Sequence, residues 1–184
     1  MPGLLALLLC IPAGAAAGDI LEARVTHSDG RYHLLIRARI DAPSDTVYRA
    51  ITDYSNLAAI NPDIEVSELL ETTTSGISTV HTVIHVCILV FCKQVEQLQQ
   101  VTYPDSDTIE AVIVPEGSDF RSGFARWQLS SPTAATTELQ FVETFEPDFW
   151  VPPVIGPWLI QRKLVREVAE TTAYIEAQQG TGRP

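Results

Sequence analysis

The sequence predicts an α+β fold, in which one curved antiparallel sheet of about six to seven strands wraps around a long C-terminal helix, with two short helices after the first strands. Two observations lead to this prediction. Between Ile64 and Phe145, polar and apolar residues alternate in segments separated by turn signals, as they do in strands. The final stretch of the chain changes to helical period.

The first predicted elements are a hairpin and two short helices. In EARVTHSDGRYHLLIRARID, the pair Asp29-Gly30 is the predicted turn, because residues alternate on both sides of it. APSDTVYRAITDY then has helical period, with Ser44 as the predicted N-cap. SNLAAINP predicts a second short helix that ends before Pro62, since proline disfavours helical backbone in the residue before it.

The middle of the chain predicts six further strands, most of them separated by turn-forming residues. The predicted ranges are Ile64 to Glu71, Ile77 to Cys87, Phe91 to Tyr103, Thr108 to Val114, Arg121 to Leu129 and Thr137 to Phe145.

The last element is a long amphipathic helix with Pro157 in its first turn. Its apolar stripe consists of Leu164, Val165, Val168, Thr172 and Ile175. Its charged residues are predicted to lie mostly off that stripe, and they are Arg162, Lys163, Arg166, Glu167 and Glu170.

Length, charge and the leader limit the function classes. The chain has 184 residues and a formal net charge of -11, which argues against a nucleic-acid-binding protein. Residues 1–18 resemble a secretory signal peptide, so residues 19–184 form one predicted domain in the periplasm or outside the cell, where we expect a monomer. No Lys or Arg precedes Leu4, so an uncleaved anchor or a buried N-terminal segment remain alternatives.

Removal of the leader would leave two cysteines, Cys87 and Cys92, on either side of the apolar sequence ILVF. An even number of cysteines in an oxidising compartment favours a disulfide. The two can bridge if the intervening residues form a hairpin connection, and they cannot if one strand runs through both positions. In the hairpin, an apolar tip could contact a membrane transiently through Ile88, Leu89, Val90 and Phe91.

Three stretches resemble the START-like superfamily, also called the helix-grip, SRPBCC or polyketide cyclase/dehydrase and lipid transport superfamily. They are IDAPSDTVYRAITDYSNLAAINPDI, VPEGSDFRSGFARWQL, and TTELQFVETFEPDFWVPPVIGPWLIQRKL followed by AYIEAQ. The resemblance extends over about Ile36 to Gln178 and is close to the coenzyme Q-binding START branch. It implies a helix-grip fold with a hydrophobic cavity, whereas function varies widely within the superfamily.

The resemblance implies that the chain binds or transports an apolar small molecule, such as a lipid or a quinone, between the sheet and the C-terminal helix. A cyclase or dehydratase that uses Glu143 as acid or base is the alternative enzyme, and a ligand-free interaction module is the third hypothesis. A carrier is preferred over an enzyme, because the sequence contains no Ser-His-Asp order with family context, no Gly-rich phosphate loop and no zinc-protease motif. No cofactor is expected.

The last predicted hairpin supplies the candidate site. If Trp127 pairs near Leu139, an otherwise apolar inner face carries Glu143, and Arg121 joins it beside Phe145. The predicted ligand-binding residues are Arg121, Gly123, Ala125, Trp127, Leu139, Phe141, Glu143 and Trp158. A buried charge needs a partner, so Glu143 and Arg121 form either an anchor for a ligand or a structural ion pair. Gly123 and Ala125 either leave room for a ligand or allow close packing.

Two further features have alternative interpretations. His81 and His85 share the outer face of one strand and lie about 13 Å apart, too far for one metal ion, so no metal site is expected. The stretch FWVPPVIGPWLIQRKL combines aromatic and basic residues, which either contact a membrane interface or form the core at the corner between strand and helix.

Overall fold

The computed structural model describes residues 18–88, 91–152 and 154–181. Its strands and helices follow the predicted order. In chain order they are β1 (Ile20–Ser28), β2 (Arg31–Ile40), α1 (Ser44–Thr52), α2 (Leu57–Ile60), β3 (Ile64–Thr72), β4 (Ser78–Ile88), β5 (Phe91–Asp105), β6 (Thr108–Ile113), β7 (Phe120–Thr133), β8 (Thr136–Pro147) and α3 (Gly156–Thr181). Apart from Gly18, the predicted signal peptide lies outside the described residues.

The sheet contains eight antiparallel strands in the order β1-β2-β8-β7-β6-β5-β4-β3. The α+β class and the long C-terminal helix are confirmed, and the strand count is slightly higher than predicted. The β1–β2 turn is at Asp29 and Gly30, which both have positive φ, at 52° and 77°. Two successive left-handed residues match the twist of a two-residue hairpin, and Asp-Gly is a preferred pair there.

The N-terminus of α1 differs from the prediction. Pro43 occupies the N-cap position, no side chain caps the helix, and Ser44 is its first helical residue. The carbonyl of Pro43 accepts the backbone N–H groups of Thr46 and Val47, at 2.9 and 3.1 Å. Fully buried Val47 packs into the core between α1, the sheet and α3, which fixes the helix in place of a polar cap.

The segment between Cys87 and Cys92 is a hairpin. Cys87 pairs with Cys92 and Ile88 with Phe91, and the two sulfurs form a disulfide. The predicted hairpin with a bridge is therefore present, although its connection is two residues long instead of four. Leu89 and Val90 lie outside the described residues, as do the side chains of Ile88 and Phe91, so membrane contact through this tip stays a prediction.

We expect the oxidised protein to be about 2 Da lighter than its reduced form, because the bridge removes two hydrogen atoms. Intact-mass spectrometry before and after reduction measures this difference, and a Cys87→Ser variant of the same protein should show no shift. Alkylation of both cysteines without prior reduction would contradict the bridge.

Candidate functional site

A cavity of about 300 Å³ lies between the inner face of the sheet and the three helices. Its wall is mostly apolar. Prominent apolar side chains that border it are Ile36, Ile40, Val101, Ile109, Trp127 and Phe141. The volume is at the lower end of the roughly 300–1,000 Å³ typical of small-molecule pockets, so a compact molecule fits this cavity best.

Strand alternation places Glu143 in this wall. Glu143 pairs with Leu34 of β2 and Ala125 of β7, and its two neighbours on the same face of β8 are Phe141 and Phe145. Within the described residues its carboxyl group makes no hydrogen bond and no ion pair with protein groups. Burial, with a smaller contribution from the nearby charge of Glu167, raises the pKa of Glu143 to about 7. The site therefore presents a carboxyl group that titrates near neutral pH.

Helix α3 contributes a second carboxyl group. Glu167 borders the cavity with Leu164 and Val168, and only 18% of its side chain is exposed. Burial raises the pKa of Glu167 against the opposing effect of Lys163, which contacts its Oε1. Glu167 is therefore an exception to the prediction that the charged residues of this helix lie mostly off its apolar stripe. Its position three residues after Leu164 is the spacing of one helix face and was the signal that could have placed it there.

A charge cluster lies beside Glu167 and ties α3 to the start of β3. The ammonium group of Lys163 contacts the carboxylate of Asp63 as well as Glu167, and Arg166 donates to Asp63 Oδ2 at 2.9 Å. Burial alone would raise the pKa of Asp63, but the hydrogen bonds and charges of Lys163 and Arg166 lower it. Arg166 also lies 3.8 Å from Glu170. Both cations are thus already paired with carboxylates of the protein.

Neutral polar groups complete the cavity wall. Thr82 donates to Gln97 Oε1 at 3.4 Å, and Gln99 lies on the same face of β5. Tyr54 borders the cavity and accepts a hydrogen bond from Tyr103 at 3.1 Å. Burial, and then this hydrogen bond, raises the pKa of Tyr54. The predicted site did not include Thr82, Gln97 and Gln99, because polar side chains on strands carry no signal that separates a cavity wall from a surface. It did not include Tyr54 either, which lies in the turn after α1.

Four predicted site residues border the cavity, namely Trp127, Leu139, Phe141 and Glu143. Their face was predicted correctly, although Trp127 pairs with Phe141 and Leu129 with Leu139. A shift of two residues keeps the same side chains on the same face, whereas a shift of one residue would have turned Glu143 outward.

Arg121 does not face the cavity, and this prediction is wrong. An irregularity in the register between Phe120 and Ser122 changes the alternation, so Phe120 is buried and the Arg121 side chain is 62% exposed. Arg121 donates to Asp148 Oδ1 at 2.8 Å and lies 3.5 Å from Glu146. It therefore provides no partner for Glu143.

Trp158, Gly123 and Ala125 are not among the residues that border the cavity. Trp158 is 59% exposed with Arg162 over its ring, because helix α3 directs Ile160 and Leu164 toward the sheet instead. A side chain at Gly123 would approach Ile113 to 2.5 Å, and Ala125 is buried in the core. Both small residues thus serve close packing, the alternative to making room for a ligand.

The predicted histidine positions are confirmed. His81 and His85 lie on the face of β4 opposite the cavity residues Val80 and Thr82, 3.9 and 3.8 Å from the carboxylates of Glu96 and Glu65. In the segment before α3, Phe149 packs into the core, whereas Trp150 is exposed, so this corner is partly core and partly surface. No described helix is long and apolar enough to cross a membrane.

Solved structures of similar fold come from several bacteria. A START superfamily protein from Mycobacterium smegmatis is 16% identical, with a TM-score of 0.64 over 79% of this chain and 95% of that chain. The Zhui aromatase/cyclase from Streptomyces sp. R1128 is 18% identical, with a TM-score of 0.64 over 83% of this chain and 96% of that chain. A STAR-related lipid transfer protein from Xanthomonas axonopodis is 16% identical, with a TM-score of 0.62 over 88% and 98% of the two chains.

The amino-acid sequence supports the same assignment. No curated protein matches the chain significantly. The model of one protein family, described as polyketide cyclase / dehydrase and lipid transport, matches residues 40–170, which is most of the chain and includes the wall residues of β8. With its open antiparallel sheet packed against α3, the chain therefore belongs to the polyketide cyclase / dehydrase and lipid transport family and has the START-like fold.

Proposed function

We propose that the protein binds a compact apolar molecule in the cavity between the sheet and α3, with Glu143 as the polar anchor for a carbonyl or hydroxyl group of the ligand. One observation carries this proposal: a carboxyl group without a protein partner borders a mostly apolar cavity. Burial of apolar ligand surface would supply affinity at roughly 25 cal/mol per Å², and the protonated carboxyl group would orient the ligand by donating a hydrogen bond.

The comparisons support a ligand of this kind. The description of the protein's family includes lipid transport as well as polyketide cyclases and dehydrases. One structural neighbour is named as a lipid transfer protein. The identity of the ligand and the likeness to the coenzyme Q-binding branch stay predictions. The Cys87–Cys92 bridge fits export to the periplasm or beyond, because disulfides persist in oxidising compartments.

We expect Val168→Trp to weaken binding of the neutral fluorescent dye phenylnaphthylamine at least tenfold. Val168 borders the cavity from α3, so a larger side chain at this position occupies the ligand's space. Fluorescence titration measures the binding, and circular dichroism shows whether the fold is retained.

The matched control for this experiment is Ala173→Trp, which adds the same side chain to an exposed position of the same helix. The control should bind the dye like the unchanged protein. Equal binding by a folded Val168→Trp protein would place the dye outside this cavity and would contradict the proposal.

An acid–base enzyme is the second candidate function, and the raised pKa of Glu143 favours it. A carboxyl group with a pKa of about 7 can both donate and accept a proton near neutral pH. The Zhui neighbour is named as an aromatase/cyclase. Turnover of a bound compound that is lost in Glu143→Gln would establish the enzyme, whereas recovery of the unchanged compound from the protein would favour the carrier.

A further inference from the structure

In the part of the chain that the structure describes, acidic side chains border the cavity, whereas basic side chains do not. Among the described residues that border it, the titratable side chains are Tyr54, Glu143 and Glu167, and none is Lys, Arg or His. Its other polar wall groups are neutral hydroxyl and amide groups, including those of Thr82 and Gln97. A negatively charged ligand group would therefore meet two carboxyl groups and no positive charge.

The nearest cations, Lys163 and Arg166, cannot pair with an anionic ligand group without breaking their existing contacts. Lys163 lies against both Asp63 and Glu167, and Arg166 pairs with Asp63 and approaches Glu170. Three carboxylates thus surround these two cations already. Leaving any of them unpaired in this half-buried position costs free energy, so a ligand anion gains no net partner by recruiting Lys163.

Among the described residues, no Lys, Arg or His of the adjacent strands β2 and β7 borders the cavity. The neighbours of Glu143 on these strands are Leu34 and Ala125, and Glu167 approaches it from α3. A carboxylate transferred from water into this wall would lose its hydration and gain only repulsion. A ketone, ester or alcohol loses much less hydration and can accept the proton of Glu143 in a hydrogen bond.

We infer that the cavity selects its ligand by charge: it accepts neutral apolar molecules that carry a carbonyl or hydroxyl oxygen, and it rejects carboxylates such as free fatty acids. This inference rests on the proposed function, because it concerns the same cavity, and it names the class of ligand.

Three naphthalene derivatives of similar shape and different charge test the inference. Acetylnaphthalene is neutral, naphthoic acid is an anion and naphthylmethylamine is a cation at about pH 6, where Glu143, with a pKa of about 7, is still mostly protonated. Each competes with phenylnaphthylamine for the protein, and fluorescence gives its apparent affinity. We expect the ketone to displace the dye and the acid to bind at least tenfold more weakly. The amine should also bind more weakly than the ketone.

Two variants assign the selectivity to the cavity. Glu143→Gln removes the ionisable group but keeps a hydrogen-bond donor. Raising the pH to about 8, where Glu143 ionises, should therefore widen the difference between ketone and acid in the unchanged protein but not in this variant. Glu138→Gln is the matched control, because Glu138 lies on the outer face of the same strand, where it pairs with Arg39. That variant should show the same widening as the unchanged protein, since an exposed charge is screened by solvent and salt.

The outcomes separate this inference from the proposed function. Displacement of the dye by ketone and acid with equal affinity would overturn charge selection while leaving the binding site intact. Tighter binding of the amine than of the ketone, lost in Glu143→Gln, would also overturn it and assign the site to cations. If neither the dye nor any derivative binds the folded protein, the proposed function itself is wrong.

Discussion

Replacing Glu143 by Leu should stabilise the protein at about pH 8 and much less at about pH 4, with a difference between the two gains of roughly 3 kcal/mol. The reason is the raised pKa, about 7 in the folded protein against an ordinary value of 4.5. Below pH 4.5 the carboxyl group is protonated in both the folded and the unfolded protein, so its ionisation does not affect the free energy of unfolding. Between the two values the unfolded chain ionises first, so stability falls as pH rises, and above about 7 the full cost remains.

Urea unfolding of both proteins at the two pH values measures this difference. Leu has nearly the volume of Glu, so any gain from added apolar surface is common to both pH values and cancels. Glu138→Leu, on the outer face of β8, should show no comparable pH-dependent gain. A gain that is equal at both pH values would mean that Glu143 is ionised in the folded protein with an ordinary pKa.

Replacing Ile175 by Ala should lower the free energy of unfolding by about 2–5 kcal/mol. Ile175 is 1% exposed and packs with Ile40, Val47 and Leu129 in the core between α3, α1 and the sheet. The truncated side chain leaves a void that joins the existing cavity, and the surrounding strands cannot close around it without losing their register. This contact holds the C-terminal half of α3 against the sheet.

Chemical denaturation gives the loss, and Val154→Ala provides the control. Val154 is 89% exposed, so its truncation should change stability by no more than about 0.5 kcal/mol. A loss below about 1 kcal/mol for Ile175→Ala would show that α3 is not packed on the sheet at this position.

These two results would show how Glu143 and the cavity affect the stability of the fold. A protein that gains stability when Glu143 is removed carries that carboxyl group at a cost, and such costs are typical of residues retained for function. The cavity beside Ile175 also lowers stability, because a core filled with side chains at the same place would be more stable. Its presence is therefore likewise typical of a feature retained for function. Loss of ligand selectivity together with a gain in stability in Glu143→Leu would connect both properties to one residue.

Local rules predicted most of the fold from the sequence. Period-two alternation on β8 placed Leu139, Phe141 and Glu143 on one face, and that face borders the cavity. The Asp29-Gly30 turn and the Cys87–Cys92 hairpin were predictable because their chemistry involves residues close together in the chain. The resemblance to the START-like superfamily then predicted that the sheet packs around the C-terminal helix.

The sequence by itself determined the order of the elements and the inner position of Glu143, because alternation and turn chemistry depend on neighbouring residues. Only the tertiary structure decided that Arg121 faces outward, since the register irregularity beside Phe120 arises from pairing with β8. It also decided that the face of α3 with Leu164 and Glu167 lies opposite Glu143, and that Lys163 meets Asp63, one hundred residues away in the chain. The rotation of α3 and its approach to β3 depend on packing between distant segments, which no local pattern encodes.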